Sequence, residues 1–134
     1  MTFSLDQGRQ LQDRFGRSKH KLRISITDRC NMRCHYCMPE DPAWLPRSQI
    51  LSFEELLRLA GLFVRELGIR SIRITGGEPL LRKGAVDFIA ALQALRAEGL
   101  ERVSLTSNAT LLERHAAGLK AAGLDDINIS LDAM

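Results

Sequence analysis

The sequence has no apolar run close to the roughly 20 residues that a helix needs to cross a bilayer. It also has no run of like charges, and its net charge is only +3. Nucleic-acid-binding domains carry a dense basic stripe, so this balance predicts a soluble protein that binds neither nucleic acid nor a membrane. A content of 45% hydrophobic and 26% charged residues is typical of a globular chain with one core.

Cysteine is scarce, and the only three, Cys30, Cys34 and Cys37, lie within eight residues of one another. An odd count with no apolar signal segment before it argues against a secreted disulfide framework and predicts a reducing, cytoplasmic location. The C-x3-C-x2-C spacing suits an iron–sulfur cluster with one iron left open to a small molecule. It also suits zinc, with His35 or His20 as the fourth ligand, because thiolates bind both.

A repeated pattern determines the predicted fold class. Gly, an aliphatic residue, two polar residues and an apolar–polar–apolar–hydroxyl run occur from Gly68, Gly99 and Gly123, and residues 24–27 match the last four positions. Each Gly is a natural helix stop and each alternation predicts a strand. Amphipathic helices fill the intervals, so the chain is predicted to be α/β with a parallel sheet.

Capping boxes mark the starts of two of these helices. Ser52 with Glu55 has the spacing of a capping box before the first helix, and Thr110 with Glu113 has it before the third. We therefore expect both helices to begin with a reciprocal pair of side-chain hydrogen bonds.

The strands are apolar on one face and polar on the other, which is unusual for a parallel sheet. Such a pattern predicts a TIM-like (βα) barrel whose polar interior is a wet ligand cavity, or a half-covered sheet whose polar face meets solvent. A complete barrel needs about 250 residues, so about four strands predict an incomplete barrel and a truncated chain. Residues 1–21 are expected to form a short helix or arm outside it, and residues 22–134 the N-terminal half of the barrel.

Polar groups follow all four predicted strands at their C-terminal ends, the end at which βα barrels bind their substrates. The cysteines follow the first strand and Gly76-Gly77-Glu78-Pro79 follows the second. Residues 106–108 and 130–132 follow the third and fourth. Arg23 and Arg73 belong to the polar face, where an arginine needs an anionic ligand or an ion pair.

The segments T-D-R-C-N-M-R-C-H-Y-C-M-P-E and I-R-I-T-G-G-E-P resemble the radical S-adenosylmethionine superfamily. L-R-x-S-x-T-D-R-C-N and the final A-G-L-x-x-I-N-I-S-L-D-A are similar, more narrowly, to its GTP 3′,8-cyclase family. This resemblance implies a radical lyase that converts GTP to (8S)-3′,8-cyclo-7,8-dihydroguanosine 5′-triphosphate in the first step of molybdopterin biosynthesis. It also disfavours zinc, which explains none of the downstream matches.

The resemblance also implies roles for individual residues. Ligands of a [4Fe–4S] cluster would be Cys30, Cys34 and Cys37. S-adenosylmethionine would contact Tyr36, Gly77 and Ser130. GTP would contact Arg23, Arg73 and Thr106.

The family further implies an electron donor, homodimers, and cyclic pyranopterin monophosphate synthase as the next enzyme. It carries a second [4Fe–4S] cluster on C-terminal cysteines, which are absent here, so the fragment alone is expected to be inactive. Family members read T-T-N-G where this chain has Thr106-Ser107-Asn108-Ala109, a difference that matters if Ala109 needs a positive φ. Two alternatives stay open: another radical enzyme that matures a peptide or haem, and a cluster-binding module without turnover.

Overall fold

The computed structural model describes residues 2–4, 10–12, 18–29 and 50–130. A three-stranded antiparallel sheet of order β1-β2-β3 precedes a four-stranded parallel sheet of order β4-β5-β6-β7. The strands of the first sheet are β1 (Thr2–Ser4), β2 (Gln10–Gln12) and β3 (Ser18–Lys19). Those of the second are β4 (Lys21–Ser25), β5 (Ser71–Thr75), β6 (Arg102–Ser107) and β7 (Asp126–Ile129). The helices are α1 (Phe53–Leu67), α2 (Ala85–Leu92) and α3 (Leu112–Ala121).

The parallel sheet confirms the predicted α/β class and the partial barrel. Its strands are hydrogen-bonded in chain order and separated by helices. Within the described part of the chain β4 and β7 are the two edges, so the sheet is open. At the other end of the sequence, the described residues of 1–21 form short strands where a helix was one of the two expectations.

The core lies between the apolar face of the sheet and the helices. Ile72, Ile74, Val103 and Leu105 on the two central strands are completely buried, and they form one cluster with side chains of all three helices. This packing confirms the predicted apolar face. The opposite face therefore carries the polar positions of every strand, in register across the sheet.

Helix α1 begins with the predicted capping box. The Glu55 N–H donates to the Ser52 hydroxyl at 3.1 Å, and the Ser52 N–H donates to the Glu55 carboxylate at 2.9 Å. The hydrogen bonds from Ser52 hold the pKa of Glu55 below its ordinary value. Helix α1 ends at Gly68, whose φ of 75° is left-handed, as the Gly pattern predicts.

The second predicted capping box, at Thr110 and Glu113, is wrong. Helix α3 begins at Leu112 with Leu111 as its N-cap. The N–H and the hydroxyl of Thr110 both donate to the Asn108 side-chain oxygen, at 3.0 and 2.7 Å. This local turn engages the Thr110 hydroxyl in place of a helix cap.

No helix among residues 50–130, or elsewhere in the described segments, has the length and apolar character to cross a membrane.

Candidate functional site

The structure describes five of the nine predicted site residues. Arg23, Arg73 and Thr106 lie on the polar face of the parallel sheet, and Gly77 and Ser130 follow the ends of β5 and β7. The other four, Cys30, Cys34, Tyr36 and Cys37, lie outside the described residues. Among the residues that the structure does describe, no group of three or more His, Cys, Asp or Glu side chains is arranged to hold a metal.

The three residues predicted to bind GTP come together on the sheet. Arg23 and Arg73 are register partners on β4 and β5, so they are neighbours across about 4.8 Å. Arg73 Nη1 donates to the Thr106 hydroxyl at 3.3 Å. Both arginines line a cavity of about 780 Å³, which Thr106 does not line. The cavity also contacts the first residues of all four strands, Lys21, Ser71, Arg102 and Asp126, so it extends toward the N-terminal ends of the strands and away from the glycine turn after β5. The cavity is positively charged where the arginines meet, and it suits an anionic ligand.

The glycine turn after β5 contacts the residues that follow β4. The Gly77 N–H donates to the Thr27 carbonyl at 2.8 Å, and the Glu78 N–H donates to the Arg29 carbonyl at 2.6 Å. A Cβ atom on Gly77 would lie 2.2 Å from the Arg29 carbonyl oxygen, so no other residue type fits here without a shift of the backbone.

This contact bears on the implied cofactors. Arg29 immediately precedes Cys30, so the glycine turn is fixed beside the start of the cysteine-bearing segment. The missing side chain at Gly77 is what allows this approach, because a Cβ atom would collide with the Arg29 carbonyl. Three thiolates suit an iron–sulfur cluster by their chemistry, and the described residues pack the glycine turn against the backbone just before them.

Glu78 is a functional candidate that the sequence prediction left without a role. Its side chain is completely buried. One carboxyl oxygen accepts from the Asn108 N–H at 2.8 Å, and the other accepts from the Leu80 N–H at 3.0 Å. The Ser107 hydroxyl lies 3.1 Å from both. Glu78 thus joins the turn after β5 to the turn after β6. The sequence offered one sign of this role, because Glu78 is an acidic residue inside a run of turn-forming and apolar residues.

Ser130 is held by a hydrogen bond to the last residue of β6. Its N–H donates to the carbonyl of Ser107 at 2.9 Å, which ties the end of β7 to the end of β6. The C-terminal ends of β4, β5, β6 and β7 are therefore joined by hydrogen bonds from one strand end to the next. They form a continuous rim on which Gly77 and Ser130 both lie.

Ala109, in the turn after β6, has a left-handed backbone. Its φ is 72°, the one positive value at a residue other than glycine in the described part of the chain. Its N–H donates to the Ser107 hydroxyl at 3.0 Å and its carbonyl accepts from the Leu112 N–H at 3.2 Å, which fixes this conformation. The departure from the family's glycine therefore falls where a Cβ atom is unfavourable.

We expect Ala109→Gly to raise the free energy of unfolding by about 0.5–1 kcal/mol. Relief of the left-handed strain, worth about 1–2 kcal/mol, exceeds the entropy that glycine adds to the unfolded chain. Ala117→Gly, on the exposed face of α3, is the matched control and should lower it by about 1 kcal/mol. Denaturant unfolding measures both; a loss of stability in both variants would contradict the strain.

Comparison with known proteins places the chain. A sequence model of the Radical SAM superfamily matches residues 24–134. The GTP 3′,8-cyclase of Rhodopirellula baltica is 59% identical over 92% of this chain and 34% of its own length. That of Corynebacterium glutamicum is 55% identical over 96% of this chain and 35% of its own. That of Staphylococcus haemolyticus is 47% identical over 93% of this chain and 37% of its own.

The chain thus spans about a third of the length of the curated relatives that it matches. The superfamily match, in contrast, begins at Ile24, near the end of β4, and covers β5, β6 and β7. It includes the glycine turn, the cysteine-bearing segment and the polar positions of β5 to β7, but not Arg23. This chain therefore belongs to the radical SAM superfamily, and that membership implies a [4Fe–4S] cluster and S-adenosylmethionine.

Proposed function

We propose that this chain provides the S-adenosylmethionine side of the active site of a GTP 3′,8-cyclase. In a protein of the relatives' length, the reaction would convert GTP to (8S)-3′,8-cyclo-7,8-dihydroguanosine 5′-triphosphate. The observation that carries the proposal is the shared sheet: the glycine turn meets the start of the cysteine segment at the rim, and Arg23, Arg73 and Thr106 line the adjoining polar face.

The cofactor side of the site is proposed as follows. Cys30, Cys34 and Cys37 would hold three irons of the cluster, and the fourth iron would bind S-adenosylmethionine. When bound, the two together are the source of a 5′-deoxyadenosyl radical that can abstract a hydrogen from GTP. Tyr36, Gly77 and Ser130 would contact S-adenosylmethionine, and the close contact of Gly77 with the Arg29 backbone would keep the glycine turn beside the cluster segment.

The substrate side depends on two guanidinium groups. Arg73 and Arg23 would bind the triphosphate, since a guanidinium matches phosphate oxygens with paired N–H donors. The hydrogen bond to Thr106 fixes the plane of Arg73 and uses one of its five N–H groups, so bidentate phosphate contact remains geometrically compatible.

The proposal includes the partners of the complete enzyme. These are an electron donor, a second [4Fe–4S] cluster on cysteines beyond this sequence, a second subunit, and cyclic pyranopterin monophosphate synthase as the next enzyme. A cytoplasmic location is proposed with them, because thiolate ligands and a low-potential cluster need a reducing compartment.

Anaerobic reconstitution with iron and sulfide tests the cofactor assignment. We expect about four irons per chain, and nearly complete loss of iron and of its visible absorbance in Cys34→Ala. His35→Ala is the matched control within the same segment: it should keep its iron, whereas a Cys3His zinc site with His35 as the fourth ligand would lose its metal. Retention of the cluster by Cys34→Ala would contradict the ligand set.

Binding of GTP to the reconstituted chain tests the substrate assignment. Arg73→Met should weaken binding at least about tenfold, because it removes a charge-assisted hydrogen bond to the triphosphate. Arg58→Met, on the exposed face of α1, changes the net charge equally and should bind as the unaltered chain does. A chain that binds S-adenosylmethionine but shows no difference between the two variants would point to another radical enzyme with a different substrate.

A further inference from the structure

Arg82 connects three segments of the molecule. It follows the short 3-10 turn at Pro79–Leu81, which itself follows the glycine turn. Arg82 Nη1 donates to the carbonyl of Ile26, and Nη2 donates to the carbonyl of Leu51, both at 2.8 Å. Ile26 lies four residues before the cysteine-bearing segment, residues 30–49, and Leu51 lies two residues after it. One side chain thus fastens the chain on both sides of that segment.

The surroundings of Arg82 hold its guanidinium in one position. Its central carbon lies 3.9 Å from the centroid of the Phe53 ring, and the Phe53 ring stacks on Phe88 at a centroid distance of 4.8 Å. Burial lowers the pKa of Arg82, while the charge of Glu54 acts in the opposite direction. An arginine remains protonated across the physiological range even so, and a cation over an aromatic ring is favourable.

A cavity lies between the two segments that Arg82 joins. Ile26, Thr27, Ile50 and Leu51 border a cavity of about 220 Å³, and Arg82 is part of its lining. The two sides of the cavity are joined across it by the forked guanidinium, because each of its two terminal nitrogens reaches one carbonyl.

We propose that Arg82 is a positioning residue that sets the distance between the two ends of residues 30–49 and so controls how well the cysteines retain an iron–sulfur cluster. It acts through the carbonyls of Ile26 and Leu51 and through the glycine turn to which it is attached. The part that concerns the cluster rests on the proposed function; the part that concerns the two ends rests on the described contacts alone.

Lysine is the informative replacement. Arg82→Lys keeps the positive charge and the aliphatic stem over Phe53, but a single ammonium group lacks the fixed fork that reaches both carbonyls. Arg82→Met removes the charge as well. Arg65→Met is the matched control. Arg65 lies on the exposed face of α1 and forms an ion pair with Glu98 at 2.9 Å, and it does not contact Ile26 or Leu51 in the described hydrogen bonds.

Two measurements separate positioning from general stability. The first is the rate at which a chelator removes iron from the reconstituted chain, which we expect to rise about tenfold in Arg82→Lys and Arg82→Met and to be unchanged in Arg65→Met. The second uses the metal-free chain: amide exchange at residues 26–29 and 50–53 should become about tenfold faster in Arg82→Lys, while exchange in the β5 and β6 core stays the same.

Each outcome is decisive. If the unaltered chain binds a cluster and Arg82→Lys releases iron at the same rate with the same exchange, the inference is wrong. If Arg82→Lys speeds exchange uniformly, core included, its role is general stability and the inference is again wrong. If the unaltered chain binds no cluster, the proposed function fails, and the exchange of the metal-free chain still decides whether Arg82 fixes the two ends. Should Arg82→Met not fold, Arg82→Lys carries both measurements.

Discussion

Replacement of Glu78 by glutamine is expected to lower the free energy of unfolding by about 2–3 kcal/mol, although the two side chains have the same shape. Each carboxyl oxygen of Glu78 accepts a hydrogen bond from a backbone N–H, one from Leu80 and the other from Asn108. A glutamine amide has only one oxygen, so in either orientation its NH2 group faces an N–H donor. Two buried donors, the amide NH2 group and the backbone N–H opposite it, are then left without an acceptor. The site has no exposed surface, so water cannot replace the lost partner.

Glu113→Gln is the matched control for this prediction, because Glu113 lies exposed in the first turn of α3. It should change the free energy of unfolding by less than about 0.5 kcal/mol. Denaturant unfolding of the two variants at neutral pH gives the comparison. Equal, small effects would mean that the carboxyl group of Glu78 does not join the two turns as the hydrogen bonds indicate.

We expect Gly77→Ala to lower the free energy of unfolding about as much as Glu78→Gln does, and also to weaken the binding of S-adenosylmethionine. The added methyl group would lie 2.2 Å from the Arg29 carbonyl oxygen, and backbone on both sides must separate to admit it. That separation would break the hydrogen bonds from Gly77 to Thr27 and from Glu78 to Arg29. We expect a loss of about 3 kcal/mol in the free energy of unfolding, near the upper end for an overpacked site.

Gly118→Ala shows the opposite case at an exposed helical glycine. Its methyl group would lie 3.4 Å from a Val86 methyl group, an ordinary contact, and alanine should stabilise α3 by up to about 1 kcal/mol. Titration with S-adenosylmethionine after reconstitution should show at least about tenfold weaker binding for Gly77→Ala and unchanged binding for Gly118→Ala. Unfolding free energies that shift in the same direction in both variants would contradict the close approach at Gly77.

Local patterns predicted the fold better than they predicted the turns. The capping box at Ser52 and Glu55 is present, with both of its hydrogen bonds formed. The same spacing at Thr110 and Glu113 gave no cap, because the side chain of Asn108 engages Thr110 first. A spacing rule counts residues within the helix, and it takes no account of a competing acceptor two residues upstream.

Contacts between distant segments could not be predicted in this way. The polar face was predictable, because polar and apolar residues alternate in all four strands. Parallel pairing then places the polar positions of neighbouring strands side by side. Glu78 contacts residues about thirty positions later, and Arg82 contacts Ile26 from 56 positions away. Such pairs depend on which turns the packed sheet brings together, and neither residue type nor spacing encodes that in one sequence.

The hydrogen bonds of Glu78 make the two neighbouring turns thermodynamically linked. A ligand that prefers the present geometry of the Gly77 turn must, through Glu78, also favour the present geometry of residues 107–109. The coupling is reciprocal, so strain in the second turn weakens binding at the first to the extent that the second turn relaxes when no ligand is bound. The left-handed Ala109 lies in that second turn. The methyl group of Ala109, which disfavours that left-handed angle, therefore lowers ligand affinity at a neighbouring strand end that it does not touch.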